Sequence, residues 1–145
     1  DEIGYKYKMS NLQAALGCAQ LERINELIQR KREVFFLYKE QLSTIPGIQL
    51  NIEQSYAYNS YWMPTIIIED YDIEDRNKLL EKLNSNGIAA RPFFYPLSSL
   101  PMYTKVTNTS ISYKIFKSGI NLPNYYDMSR VDIQYISNTL QQLIQ

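Results

Sequence analysis

Trp62-Met63-Pro64-Thr65-Ile66-Ile67-Ile68, followed by Asp72-Ile73-Glu74-Asp75, decides the fold. The β-branched run from Thr65 predicts a buried strand, and Pro64, which has no N–H to donate, places its first half at a sheet edge or a bulge. Asp72 with Asp75 opens a helix. Leu79, Leu80 and Leu83 give that helix an inward face, and Asn86-Gly87 ends it. Downstream, Gly87-Ile88-Ala89-Ala90 reads as a short strand returning to the sheet. The three prolines between Arg91 and Met102 exclude long regular structure there. Ser110 to Lys117 is a short helix closed by Gly119, and Ile120 to Pro123 is extended. Ser129 with Asp132 caps a last helix bearing Ile133, Ile136, Leu140 and Leu143.

Upstream, Ser10 and Gln13 have the spacing of a capping box. Apolar residues then recur at Leu12, Ala15, Leu16, Ala19, Ile24, Leu27, Ile28, Phe35, Tyr38 and Leu42, near helical spacing, until Pro46-Gly47. A single helix over residues 11 to 44 would be about 50 Å long, too long for a domain of this size to cover. It must bend, at Gly17 or in the charged run Gln29 to Glu33, or dock its first half on something else. The predicted architecture is one α+β domain spanning residues 1–145, with a small, mostly antiparallel sheet, helices on one face and a long N-terminal helix.

The chain has 145 residues, 45% of them hydrophobic and 21% charged, so a folded core is expected. Fifteen basic residues balance fifteen acidic ones, which argues against nucleic acid or anionic lipid as a partner. No stretch approaches the ~20 apolar residues of a membrane span, and no secretory leader is visible, so a cytoplasmic location is expected. Asp1, one step ahead of a dense motif, suggests part of a longer protein. Cys18, among Ala15, Leu16 and Ala19, reads as a small buried thiol. The thirteen tyrosines suit sugar faces, cofactor rings or subunit interfaces, with biased coding as the alternative.

With no histidine and one cysteine, zinc sites, Ser-His-Asp triads and Cys-His pairs are excluded by inventory. The five glycines form neither a dinucleotide fingerprint nor a phosphate loop. The acidic pairs Glu69-Asp70 and Glu74-Asp75 flank a helix start, where they suit the dipole. A Schiff-base lysine needs a partly desolvated amine. Lys31, Lys39, Lys78 and Lys82 read as lying on charged helix faces, and Lys105, Lys114 and Lys117 as lying in polar surroundings. No catalytic residue and no metal ligand is therefore assigned.

Two segments combine cations, aromatics and constrained backbone: Gly4-Tyr5-Lys6-Tyr7-Lys8-Met9-Ser10-Asn11 and Arg91-Pro92-Phe93-Phe94-Tyr95-Pro96-Leu97-Ser98. With Asn59-Ser60-Tyr61-Trp62 and Gly119-Ile120-Asn121-Leu122-Pro123, in this order and spacing, the chain resembles the C-terminal part of the DegT/DnrJ/StrS sugar-nucleotide aminotransferases. These are pyridoxal-phosphate (PLP) enzymes of fold type I. The resemblance implies a C-terminal small domain whose catalytic lysine lies in a missing N-terminal large domain, so that the fragment is inactive and holds no covalent cofactor. It also implies a homodimer in which Lys6, Lys8 and Asn11 approach the PLP phosphate held by the other subunit, residues 1–20 docking on the large domain or the partner. The relatives commonly carry Asn and Arg where this chain has Lys6 and Lys8.

For the second segment the resemblance implies a loop over a nucleotide-sugar substrate. There Arg91 would pair with phosphate or carboxylate, and Phe93, Phe94 and Tyr95 would stack, although Leu97-Ser98 replaces the usual Leu-His. The activity implied is transfer of an amino group from glutamate to a 4-keto nucleotide sugar for surface polysaccharide. Read from the residues alone, solvated lysines and an apolar cover over the core remain alternatives. So does a non-catalytic binding or regulatory module with an aromatic ligand surface.

Overall fold

Capping residues and apolar spacing close into a four-stranded sheet with helices packed against it. The computed structural model describes residues 4–103 and 109–144, so Lys105 lies outside the described residues. The elements are α1 (Asn11–Glu22), α2 (Ile24–Leu42), β1 (Ile48–Leu50), β2 (Thr65–Ile68), α3 (Ile73–Ser85), β3 (Arg91–Pro92), a 3₁₀ turn (Leu97–Ser99), α4 (Ser110–Ser118), β4 (Gly119–Asn121) and α5 (Arg130–Ile144). The sheet order is β1-β2-β4-β3 and every neighbouring pair is antiparallel. The expected α+β class with a small antiparallel sheet is what the chain adopts.

Helix starts follow local chemistry. Ser10 and Gln13 form a reciprocal capping box at α1, and Asp72 with Asp75 does the same at α3. At α5, Asp132 Oδ2 accepts from the Ser129 amide at 2.8 Å while Ser129 Oγ accepts from the Asp132 amide at 3.1 Å. The core is one cluster. Val34, Tyr38 and Leu42 form one stripe of α2; they meet Ile66, Ile68 and Ile120 of the sheet, Leu79 and Leu83 of α3, and Ile133, Ile136 and Leu140 of α5. Tyr38, fully buried, donates to the Pro123 carbonyl at 3.0 Å, and burial pushes its hydroxyl pKa up.

Several expectations are corrected. β2 lies inside the sheet, not at an edge: Pro64 precedes the ladder, and its carbonyl accepts from the Leu122 amide at 2.9 Å. β1 was not anticipated; it pairs Ile48 with Ile68 and Leu50 with Ile66. The returning strand is Arg91–Pro92 rather than Gly87 to Ala90, because Pro92 is tolerated on an edge strand while Gly87, at φ 74, terminates α3. The long helix breaks at Arg23 (φ −107°, ψ 9°), at neither Gly17 nor the charged run. There the Arg23 guanidinium holds Glu26 at 2.7 Å, the Tyr126 hydroxyl donates to Glu26, and Arg30 donates to the Tyr126 and Met128 carbonyls at 2.8 and 2.5 Å. Body contacts thus begin at the first turn of α2. α1 has no buried residue, and Cys18 is exposed instead of buried.

Gly119 closes α4 as expected, as its C-cap in extended conformation at φ −81°, and it is also the first residue of β4. A Cβ there would lie 2.5 Å from the Ile115 carbonyl oxygen and 2.8 Å from Phe93 Cβ. The glycine lets the Phe93 segment approach, and its carbonyl accepts from the Phe93 amide at 2.9 Å. Gly119→Ala is expected to lower stability by about 2 kcal/mol through overpacking, read from denaturant midpoints at unchanged slope.

The 51–61 loop is tied to α2 by Arg32, which is bidentate to Glu53 at 2.7 and 3.1 Å and donates to the Asn59 carbonyl at 2.5 Å. The guanidinium lies 4.3 Å from the Tyr58 ring centroid. Hydrogen bonds from Arg32, then from the Asn59 amide, hold the Glu53 carboxyl down to about 2. A carboxyl depressed in the folded state contributes stability that is present above its unfolded value, near 4.5, and is lost as pH falls toward 2. Glu53→Gln is expected to flatten the acid limb of the stability–pH curve between those values while lowering stability at neutral pH.

Candidate functional site

Arg91 and Pro92 form the edge strand, paired to β4 with Arg91 opposite Asn121 and Pro92 opposite Ile120. Beyond Pro92 the backbone leaves the sheet and presents three aromatic residues in a row. Phe93 is half-buried, whereas Phe94 and Tyr95 are 57% and 65% exposed. Phe93 and Phe94 meet edge to face, with centroids 5.6 Å apart. Tyr95 turns toward α4, its centroid 4.6 Å from that of Phe116. Phe116 in turn lies under the buried Arg76, whose guanidinium donates to the Phe116 carbonyl at 2.5 Å.

Trp62, for which the sequence supplied no role, joins this group. Its ring lies 6.2 Å from Phe94, centroid to centroid, at 22° between planes, and it is 60% exposed. Arg91 is exposed on the strand that leads into the platform. The expected substrate-loop residues Arg91, Phe93, Phe94 and Tyr95 therefore lie in one contiguous region, with Trp62 arriving from the start of β2. An exposed aromatic surface next to a cation suits a planar or sugar face that carries negative charge. In the sequence Trp62 stood out as the single tryptophan and as part of Asn59-Ser60-Tyr61-Trp62, without a link to the Arg91 segment.

Of the other expected residues, Lys6 and Lys8 lie on an exposed, irregular segment that runs into α1, and Asn11 is the exposed first residue of that helix. Among the described residues, neither lysine makes an ion pair or hydrogen bond with the rest of the chain. The capping box satisfies the Gln13 amide through Ser10 Oγ at 3.3 Å and leaves the Asn11 and Leu12 amides open. Two ammonium groups and a helix N-terminus form a donor set that fits a phosphate. The phosphate of PLP therefore fits here, and its aldehyde finds no free, desolvated amine among the described residues.

Lys31 needs a correction in this respect. It is half-buried, and burial pulls its pKa down, contrary to a place on a solvated face. Its Nζ is nonetheless committed, donating to the Asn124 carbonyl at 2.6 Å and to Asn124 Oδ1 at 3.2 Å. Among the described residues, no hydrogen bond, ion pair or ring contact joins Lys6, Lys8 or Asn11 to the aromatic platform. The two expected half-sites are separate features of this chain.

Comparison with known proteins identifies the family of the chain. The DegT/DnrJ/EryC1/StrS aminotransferase family model matches residues 1–141. GDP-perosamine synthase of Vibrio cholerae is 35% identical over 144 residues, which cover 97% of this chain and 39% of that protein. GDP-perosamine synthase of Escherichia coli O157:H7 is 35% identical over 143 residues, covering 98% of this chain and 38% of that protein. The chain thus spans about two-fifths of the length of these relatives. Among solved structures, the Helicobacter pylori aminotransferase PseC, involved in the biosynthesis of pseudoaminic acid, superposes with a TM-score of 0.84 at 19% identity over 99% of this chain and 39% of its own. The Escherichia coli GDP-4-keto-6-deoxy-D-mannose-3-dehydratase with bound hydrated PLP gives 0.80 at 22% identity over 94% of this chain and 36% of its own. With the family model covering nearly its whole length, this chain belongs to the DegT/DnrJ/EryC1/StrS aminotransferase family.

Proposed function

We propose that this chain is the C-terminal domain of a PLP-dependent aminotransferase that moves an amino group from glutamate to a 4-keto nucleotide sugar of the perosamine type, in the cytoplasmic supply of surface polysaccharide. The observation that carries the reading is the exposed platform of Phe93, Phe94 and Tyr95 on the edge strand that holds Arg91. The two GDP-perosamine synthases at 35% identity support the sugar class.

In this reading the aromatic rings hold the nucleotide sugar and exclude water from one side of it, while Arg91 pairs with phosphate oxygens. Lys6, Lys8 and the open amides at Asn11 and Leu12 hold the cofactor phosphate in the partner subunit's site. Bound PLP supplies the electron sink that amino transfer requires. The chain supplies no reacting amine, so by itself it is inactive. Leu12 and Leu16, 73% and 61% exposed, give α1 the apolar surface by which residues 1–20 dock on the N-terminal large domain or on a homodimer partner.

Three measurements test this. In the full-length protein that carries this chain, Lys6→Ala combined with Lys8→Ala is expected to weaken PLP binding about tenfold or more, followed by absorbance on titrating the apoprotein. Unchanged affinity removes the phosphate role. Arg91→Ala is expected to raise KM for the nucleotide sugar at least several-fold with kcat less affected, read from steady-state rates. Borohydride reduction of the 145-residue chain with PLP is expected to label no single lysine; one specifically labelled lysine would overturn the inactive-fragment reading.

A further inference from the structure

Trp62 is held far more firmly than a mostly exposed residue needs to be. The Asn124 side-chain amide donates to the carbonyls of both Tyr61 and Trp62, at 3.0 and 3.2 Å. Asn124 is itself fixed from the other side by the half-buried Lys31, whose ammonium donates to its carbonyl and to its Oδ1. The residue before Trp62 is pinned as well. Tyr61 sits in the left-handed region at φ 47, its ring stacked flat on the buried Phe35 with centroids 3.7 Å apart at 5°. A β-carbon residue keeps that backbone conformation only where its surroundings over-determine it.

Burying Tyr61 in this way turns the next side chain outward. The indole then lies near Phe94 with 22° between the ring planes, and the two mostly exposed rings give the region that follows the Arg91 strand an apolar, aromatic surface. Such a surface matches the area and flatness of a nucleobase better than the puckered face of a sugar. We propose that Trp62 is a nucleobase-stacking residue, and that Asn124 and Lys31 are positioning residues that present it. This rests on the nucleotide-sugar reading above. The base is received at the β2 end of the platform, leaving Phe93 and Tyr95 to the sugar end.

The test uses the full-length protein and three nucleoside diphosphates, GDP, UDP and dTDP, with pyrophosphate as a probe that has no base. For the diphosphate that binds the unmodified protein, calorimetry is expected to show about tenfold weaker binding for Trp62→Ala, near-normal binding for Trp62→Phe, and no change in pyrophosphate binding for either. Trp62-dependent fluorescence, taken as the difference between the unmodified protein and Trp62→Phe, is expected to change on saturation. Asn124→Ala is expected to raise KM for the nucleotide sugar with little effect on kcat, at a far-ultraviolet spectrum like that of the unmodified protein.

Equal diphosphate affinity in Trp62→Ala, or an equal loss of pyrophosphate binding, would overturn the inference while leaving the enzyme reading intact. If none of the three diphosphates binds the unmodified protein, the nucleotide-sugar reading itself falls and takes the inference with it.

Discussion

Asn121 sets the register of three strands at once. Its Oδ1 accepts from the Thr65 hydroxyl at 2.8 Å on the β2 side, and its amide donates to the Pro92 carbonyl at 3.3 Å on the β3 side. Thr65 and Asn121 are both buried and sit opposite each other in the ladder, next to Ile66 opposite Ile120. Side chains alternate along a strand, so a slip of one residue would drive this amide into the apolar core and bring an isoleucine out of it. A buried amide with its partners in place is stable, and one without them costs about 1–3 kcal/mol, so competing registers are disfavoured. This buried pairing gives the Asn-Leu-Pro segment a structural role.

The placement of the aromatic platform follows from that register. β3 has only two residues and cannot hold its position through its own ladder, so Asn121 and the Gly119 carbonyl fix it. Because Gly119 has no side chain, the backbone at Phe93 can come close, and Phe94 and Tyr95 are launched from the sheet edge at a defined height. β2 begins on the opposite side of β4, and its lead-in residue Trp62 reaches the same region. The platform is therefore built from two segments far apart in sequence, both referenced to β4.

Local chemistry was legible and long-range geometry was not. The capping pairs Ser10/Gln13, Asp72/Asp75 and Ser129/Asp132 declare helix starts within four residues, and all three appear as read. β1 escaped notice because a three-residue strand gives too short a pattern to read and is defined by its pairing with Ile66, Ile67 and Ile68. Cys18 and its neighbours were read as interior because apolar helical spacing says that a face is buried, not what buries it; among the described residues nothing buries a residue of α1. Lys31 looked like part of a charged face because its acceptor, Asn124, is remote in sequence. Arg91, Phe93, Phe94 and Tyr95 could be grouped because they fall within five residues. Trp62, which meets Phe94 from another segment, could not.

α1 also bears on how the cationic segment works. A twelve-residue helix is marginal in water by itself, and one that buries nothing gains little from tertiary packing. Leu12, Leu16 and Leu21 are all exposed around it, so the helix becomes stable once a second surface covers it. Lys6 and Lys8 precede that helix and have no hold on the folded body among the described residues, so under the proposed docking of α1 their position is inherited from the surface it meets. If they grip a cofactor phosphate, docking and cofactor binding share one free energy: each orders the segment the other needs, and each strengthens the other. In that reading, loss of the cofactor and loosening of the assembly are two measures of the same coupling.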